Sequence, residues 1–202
     1  MRSTRWFILS TLVMATSLVS VCAQQRWQRL PPPRDPQFYE PRNKLEDFDS
    51  RLETILIKGR TWVGTLRVQN GSARVEATEI RDTIKLARAA GIVITIIRLE
   101  QNGPVNEIRS LIDYEEIDPL VKAFDTLAKS DESITRLAHF EARYRTRGDF
   151  EIMVFKQLSG SGVAAAIEGG FFDRARLLLT LDDLSKLRWM MVQAKEKLDE
   201  LK

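Results

Sequence analysis

Two stretches of this chain open helices in the same way 67 positions apart, and that doubling limits the folds available to it. Ile112-Asp113-Tyr114-Glu115-Glu116-Ile117 runs into Leu120, Val121, Phe124, Leu127 and Ala128, apolar residues at helical spacing. Asp113 stands as N-cap, with Glu116 three residues on in the capping-box position. Leu179-Thr180-Leu181-Asp182-Asp183-Leu184 leads likewise to Leu187, Met190, Met191, Ala194, Leu198 and Leu201, with Thr180 as N-cap and Asp183 as its partner. Laying Asp113 on Thr180 pairs Ile117 with Leu184 and Leu120 with Leu187. The sequence thus predicts an internal repeat, each unit closing with a helix.

Strand patterns precede both helices. In the second unit Ala138, Phe140, Ala142 and Tyr144 alternate with Leu137, His139, Glu141, Arg143 and Arg145. A turn at Arg147-Gly148 leads to Phe150, Ile152 and Val154 alternating with Glu151, Met153 and Phe155, a half-buried hairpin by its period of two. Ser159-Gly160-Ser161-Gly162 then separates it from an apolar strand over Val163 to Ile167, a turn at Gly169-Gly170 and a strand near Arg174 to Leu179.

In the first unit Ile55, Ile57, Trp62, Leu66 and Val68 mark a strand with a bend at Gly59, and Asn70-Gly71 is the strongest short hairpin signal in the chain. The return strand runs from about Ala73 to Arg81. Residues Thr78 to Ala90 also fit a helix with Ile80, Ile84 and Ala87 on one face and Gly91 as its stop. The repeat plan favours a strand followed by a loop, because it then closes with strands at Ile92 to Leu99 and Glu107 to Ile112.

Four antiparallel strands and a helix, twice over, give an α+β fold of the form ββββα-ββββα, with units at about 52–129 and 134–202. In element order and length, from about Leu52 to Leu201, this plan resembles the PUR-repeat and Whirly folds. Lys58-Gly59-Arg60, followed by Trp62-Val63-Gly64, resembles a Lys-Gly-Lys strand motif of the Whirly family, with Arg60 in place of its last Lys. The resemblance implies a sheet surface for single-stranded nucleic acid, although function does not travel with fold alone.

The remainder of the chain bears on compartment. Arg2 and Arg5, an apolar run from Trp6 to Val21, and Val21-Cys22-Ala23 before Gln24 have the order of a signal peptide, residues 1–23, cleaved after Ala23. The apolar run contains Ser10, Thr11, Thr16, Ser17 and Ser20 and falls short of the roughly 20 apolar residues a membrane span needs. A lipid on Cys22 is the alternative, with Val21 standing where a lipoprotein box normally has a small residue. Residues 24–50 carry Pro31, Pro32, Pro33, Pro36 and Pro41 and read as a Pro-rich linker. Its aromatics Trp27, Phe38 and Tyr39 are expected to fold back onto the domain at 51–202. The expected protein is secreted or periplasmic, without a transmembrane segment once the leader is removed.

Cleavage removes the sole cysteine, so stability must come from an apolar core. The full chain has 31 basic and 28 acidic residues, and loss of Arg2 and Arg5 leaves 29 against 28, a balance that gives no general attraction to polyanions. His139 is the only histidine. On the strand pattern it shares a face with Glu141 and lies near Glu151 across the hairpin, an acid–base spacing that reads more simply as a surface set. Gly160 to Gly162 lacks the Lys-Ser/Thr of a phosphate loop. No cofactor and no metal site is expected.

The binding candidates are Arg143, Tyr144, Arg145, Arg147, Phe155 and Lys156, cations interleaved with aromatics, joined by Phe171 and Phe172. Glu141, Asp149 and Glu151 in the same hairpin favour a salt-bridged face instead. The sequence therefore reads as an exported, non-catalytic binding or structural module. A protein partner or self-association is expected ahead of nucleic acid, and a single-stranded nucleic-acid binder using the basic-aromatic face is the alternative.

Overall fold

Why the chain folds as two units is visible in a computed structural model, which describes residues 40–99, 106–157, 162–171 and 173–201. The leader, the linker up to residue 39 with its aromatics, Phe172 and most of the Ser-Gly loop lie outside them. The elements follow the order α1 (Lys44–Asp49), β1 (Leu56–Val68), β2 (Gly71–Asp82), β3 (Ala87–Arg98), β4 (Asn106–Asp113), α2 (Tyr114–Ala128), β5 (Glu141–Arg145), β6 (Glu151–Lys156), β7 (Val163–Gly169), β8 (Ala175–Leu179) and α3 (Leu181–Asp199). The strands form two antiparallel sheets, β1-β2-β3-β4 and β5-β6-β7-β8, each followed by a helix. That is the ββββα-ββββα arrangement the repeat predicts.

Both helix starts are built as expected. The Glu116 carboxylate accepts from the Asp113 backbone N–H at 3.3 Å, and the Thr180 hydroxyl accepts from Asp183 N–H at 3.1 Å. The paired positions Ile117 and Leu184, and Leu120 and Leu187, are all buried in one cluster with Ile92, Ile94 and Ile96 of β3, Ile152 of β6 and Leu177 of β8. Each such side chain contributes about 1.5–3 kcal/mol by leaving water, so the shared core ties the two sheets and two helices together.

The segment Thr78 to Ala90 is strand, turn and strand. Asp82 decides this: its carboxylate accepts from the backbone N–H groups of Ile84 at 3.0 Å and Lys85 at 2.9 Å, a side-chain-closed turn that a helix would not need. The predicted hairpin forms one residue earlier than the Asn70-Gly71 signal, with Gln69 and Asn70 as its loop and Gly71 opening β2 opposite Val68. Gly71 has φ of 151°, and a Cβ there would stand 2.1 Å from the Ile97 carbonyl oxygen and 2.8 Å from the Leu177 side chain. The neighbouring Asn70 amide donates to the Arg176 carbonyl at 3.2 Å and accepts from Leu178 N–H at 3.3 Å, occupying the free edge of β8 as a short strand would.

Three expectations need correction. Residues 44–49, included in the expected linker, form helix α1. Asn43 caps it, and Leu45 and Phe48 pack with Ile80 and Ala89 on the outer side of the first sheet. Its backbone N–H groups at Lys44 and Leu45 donate to the Asp113 carboxylate, 2.8 and 3.0 Å away, so one side chain serves two helix starts. Strand β5 begins at Glu141 rather than Leu137. Strand β6 is buried on both faces instead of one, because Arg143, Arg174 and Arg176 lie over Glu151, Met153 and Glu168.

Candidate functional site

The first sheet has much longer strands than the second, and helix α1 covers only one end of its outer face. The strand register gives the rows on the rest of that face. Arg60 lies beside Thr78, Trp62 beside Glu76 and Val93, and Thr65 beside Arg74, Thr95 and Arg109; Lys58 lies beside Ile80 where α1 ends. Lys58, Arg60 and Trp62 alternate along β1, so all three stand on this face.

Five cations, Lys58, Arg60, Arg67, Arg74 and Arg109, meet three carboxylates here, Asp49, Glu76 and Glu107. Lys58 pairs with Asp49, Arg109 with Glu107 at 3.0 Å, and Arg74 with Glu76 only at 3.9 Å. Arg60 has no acidic partner among the described residues. Although Lys58 meets Asp49, burial and then the neighbouring charges of Arg60 and Arg109 hold its ammonium below the usual lysine value. The cations here are under-compensated.

Beneath them lie two hydroxyls. Thr78 and Thr95 are 2% and 0% exposed, and neither Oγ1 has a hydrogen-bond partner. A buried hydroxyl left unpaired costs about 1–3 kcal/mol, and native structures seldom carry one without a reason. Asp49, Lys58, Arg60, Glu76, Thr78 and Arg109 share a shallow depression with the apolar Ile80, Val93 and Leu111. The Thr78 hydroxyl and the cations that line this hollow suit an oxyanion, which accepts from each of them.

The residues singled out in the second hairpin do not converge on one surface. Arg143 and Phe155 stand on the outer face of the second sheet, whereas Tyr144 lies across from Ile152 and packs against the core. Burial raises the Tyr144 phenol above its usual value, with the Glu116 charge adding to it. Arg143 lies 3.7 Å from Glu151, and Arg145 pairs with Asp149. Arg147 sits in the turn, its backbone N–H donating to Glu116 at 2.8 Å, and Lys156 ends β6. Phe171 stacks under the Arg42 guanidinium, 5.0 Å from it.

His139 is exposed and precedes β5, so it is not part of the hairpin. Glu141 lies across from Phe155 while Glu151 lies across from Arg145 at the other end of the ladder, and Glu151 is held 3.2 Å from Arg174. The acid–base set suggested by spacing does not assemble. Met191 is buried in the core, and Met190 packs against Gly64 of β1, with its sulfur 3.2 Å from where a Cβ would be.

The signal for the first-sheet face was present in the alternation Lys58, Arg60, Trp62, but which cations would be neutralised depended on cross-strand partners. No family model, curated protein or solved structure matches the chain.

Proposed function

We propose that the chain is an exported, non-catalytic binding module whose ligand is anionic and lies across the outer face of the first sheet. The observation that carries this reading is the unpartnered hydroxyl of Thr78 at the floor of the hollow that Lys58, Arg60 and Arg109 line. An oxyanion in that hollow would accept from the Thr78 hydroxyl and offset the surplus positive charge in one step. The export half of the proposal rests on the order of residues 1–23. The non-catalytic half is supported by the separation of His139, Glu141 and Glu151.

Titration calorimetry with inorganic tripolyphosphate tests the site. Arg60→Ser and Thr78→Val should each weaken binding by roughly tenfold or more, since a hydrogen bond to a charged group contributes about 1.5–3 kcal/mol. Thr78→Val should leave the free protein as stable or more so, because it removes an unsatisfied hydroxyl. Unchanged affinity in both variants would overturn the assignment.

A second reading, single-stranded nucleic acid, is favoured by the exposed Trp62 standing in line with Lys58 and Arg60. It predicts that oligothymidylate binds with a steep salt dependence and that Trp62→Ala loses about 1–3 kcal/mol of stacking. Tripolyphosphate binding without oligothymidylate binding would dismiss it.

A further inference from the structure

The far end of the first sheet is constructed in a way that neither the core nor local backbone preference explains. The β2–β3 turn, Thr83 to Leu86, projects Ile84 and Leu86 into solvent, and Leu86 is 90% exposed. Leu86 also has φ of 51°, in the left-handed region that side chains of this kind avoid. Beside the turn run Leu52, Ile55 and Ile57, each more than half exposed, with the Ile55 carbonyl accepting from Thr83 N–H at 3.1 Å.

This end is clamped. The buried Asp82 carboxylate accepts from the N–H groups of Ile84 and Lys85, from the Thr54 hydroxyl at 2.7 Å and from Arg51 at 3.2 Å. It fixes both the turn and the segment leading into β1. An apolar residue held in a strained conformation, with its side chain in water, is the kind of outlier from which a function can be argued.

We infer that this tip, Leu52, Ile55, Ile57, Ile84 and Leu86, inserts into the surface of a lipid bilayer. The inference goes beyond the anion-binding reading and does not depend on it. Three features select lipid as the occupant. Leu86 at 90% exposure is a protruding knob, not the wall of a groove that a helix or peptide would fill. Five side chains are few beside the 20–30 residues a side of a stable protein interface, whereas a bilayer needs only a small apolar projection. Lys85, exposed between Ile84 and Leu86, is placed to reach a headgroup phosphate while the aliphatic groups enter the acyl boundary, whereas Arg81 and Arg88 at the strand ends are both held by Glu79, 2.9 and 3.3 Å away.

Co-sedimentation with vesicles tests this, using the chain that begins at Gln24 and so contains the whole compact body Glu40–Lys202 without the apolar leader. Vesicles of phosphatidylcholine alone and mixed with phosphatidylglycerol should both pull the protein down, the mixture more strongly. Ile84→Asp and Leu86→Asp should lower the partition coefficient at least tenfold in both. Leu86→Asn relieves the backbone instead of burdening it, so it keeps the test meaningful if an aspartate variant unfolds, and it should also reduce partitioning. Failure of the parent to sediment, or equal sedimentation of folded variants, would overturn the inference. So would a concentration-dependent dimer that the same substitutions abolish, since the tip would then dock on a second copy.

Discussion

Replacing Leu86 with asparagine should make the protein more stable, although it removes a large apolar side chain. A leucine in the left-handed region costs roughly 1–2 kcal/mol, and asparagine occupies that region far more readily. At 90% exposure Leu86 retains only about a tenth of the ~1.5–3 kcal/mol that complete burial would supply. The hydrogen bonds that close the turn run from the backbone of Ile84 and Lys85 to Asp82 and do not involve the substituted side chain. The net expectation is a gain of about 1 kcal/mol, or about 2–4 °C in Tm for a domain of this size. Thermal unfolding followed by circular dichroism reads it. Leu86→Ala is the control: it keeps the Cβ that creates the strain and should shift Tm by less than the asparagine variant. A fall in Tm for Leu86→Asn, or an equal rise for Leu86→Ala, would refute the reasoning, because the leucine would then be held by favourable contacts rather than against a backbone cost.

Other consequences follow from packing, ionisation and export. Gly91→Ala should cost about 1–3 kcal/mol or more by overpacking, since a Cβ there would lie 2.1 Å from the Ile112 carbonyl and 2.6 Å from the Leu45 side chain; a urea midpoint equal to the parent's would contradict the packing of α1. Hydrogen bonds from the Lys85 backbone and the Thr54 hydroxyl lead in drawing the Asp82 carboxyl down from 3.8 to about 2. Its stabilisation is therefore complete above about pH 4 and is lost as pH falls from there towards 2. The parent's urea midpoint should drop over that window more than that of Asp82→Asn, and parallel profiles would remove Asp82 as the cause. Mass spectrometry of the protein from its native cells should find Gln24 at the N-terminus; an intact chain beginning at Met1 would remove the export reading, and a lipid on Cys22 would make it membrane-anchored.

How far the sequence could be read depended on how local the deciding chemistry is. The two helix starts and the β1–β2 hairpin are settled by residues within four positions of one another, and all three were legible, the turn falling one residue before the Asn70-Gly71 signal. Asp82 is a local signal too: its Asx turn decides between the helix that the spacing of Ile80, Ile84 and Ala87 allows and the strand and loop that the repeat plan favours. Helix α1 was hidden, because a six-residue helix next to Pro41 has little propensity of its own and is fixed by Asp113, 69 residues from Lys44. The double burial of β6 was equally non-local, since Arg174 and Arg176 come from beyond the next strand.

The same reason governs the candidate site. Two hairpins carry cations beside aromatics, and composition along each cannot say which cations are neutralised. The register answers: the second sheet's outer face surrounds Glu151 and Glu168 with its own arginines, whereas the first sheet's face leaves Arg60 without an acidic partner and two threonine hydroxyls unpaired among the described residues.

The most direct test is to map where an anion sits. Backbone amide spectra of the isotope-labelled chain from Gln24 should be recorded during titration with inorganic tripolyphosphate. The account predicts progressive shifts confined to Lys58–Trp62, Arg74–Thr78, Val93–Thr95 and the vicinity of Arg109, with Arg143 to Lys156 unmoved. Shifts centred on Arg143 to Lys156, or none at all, would contradict it.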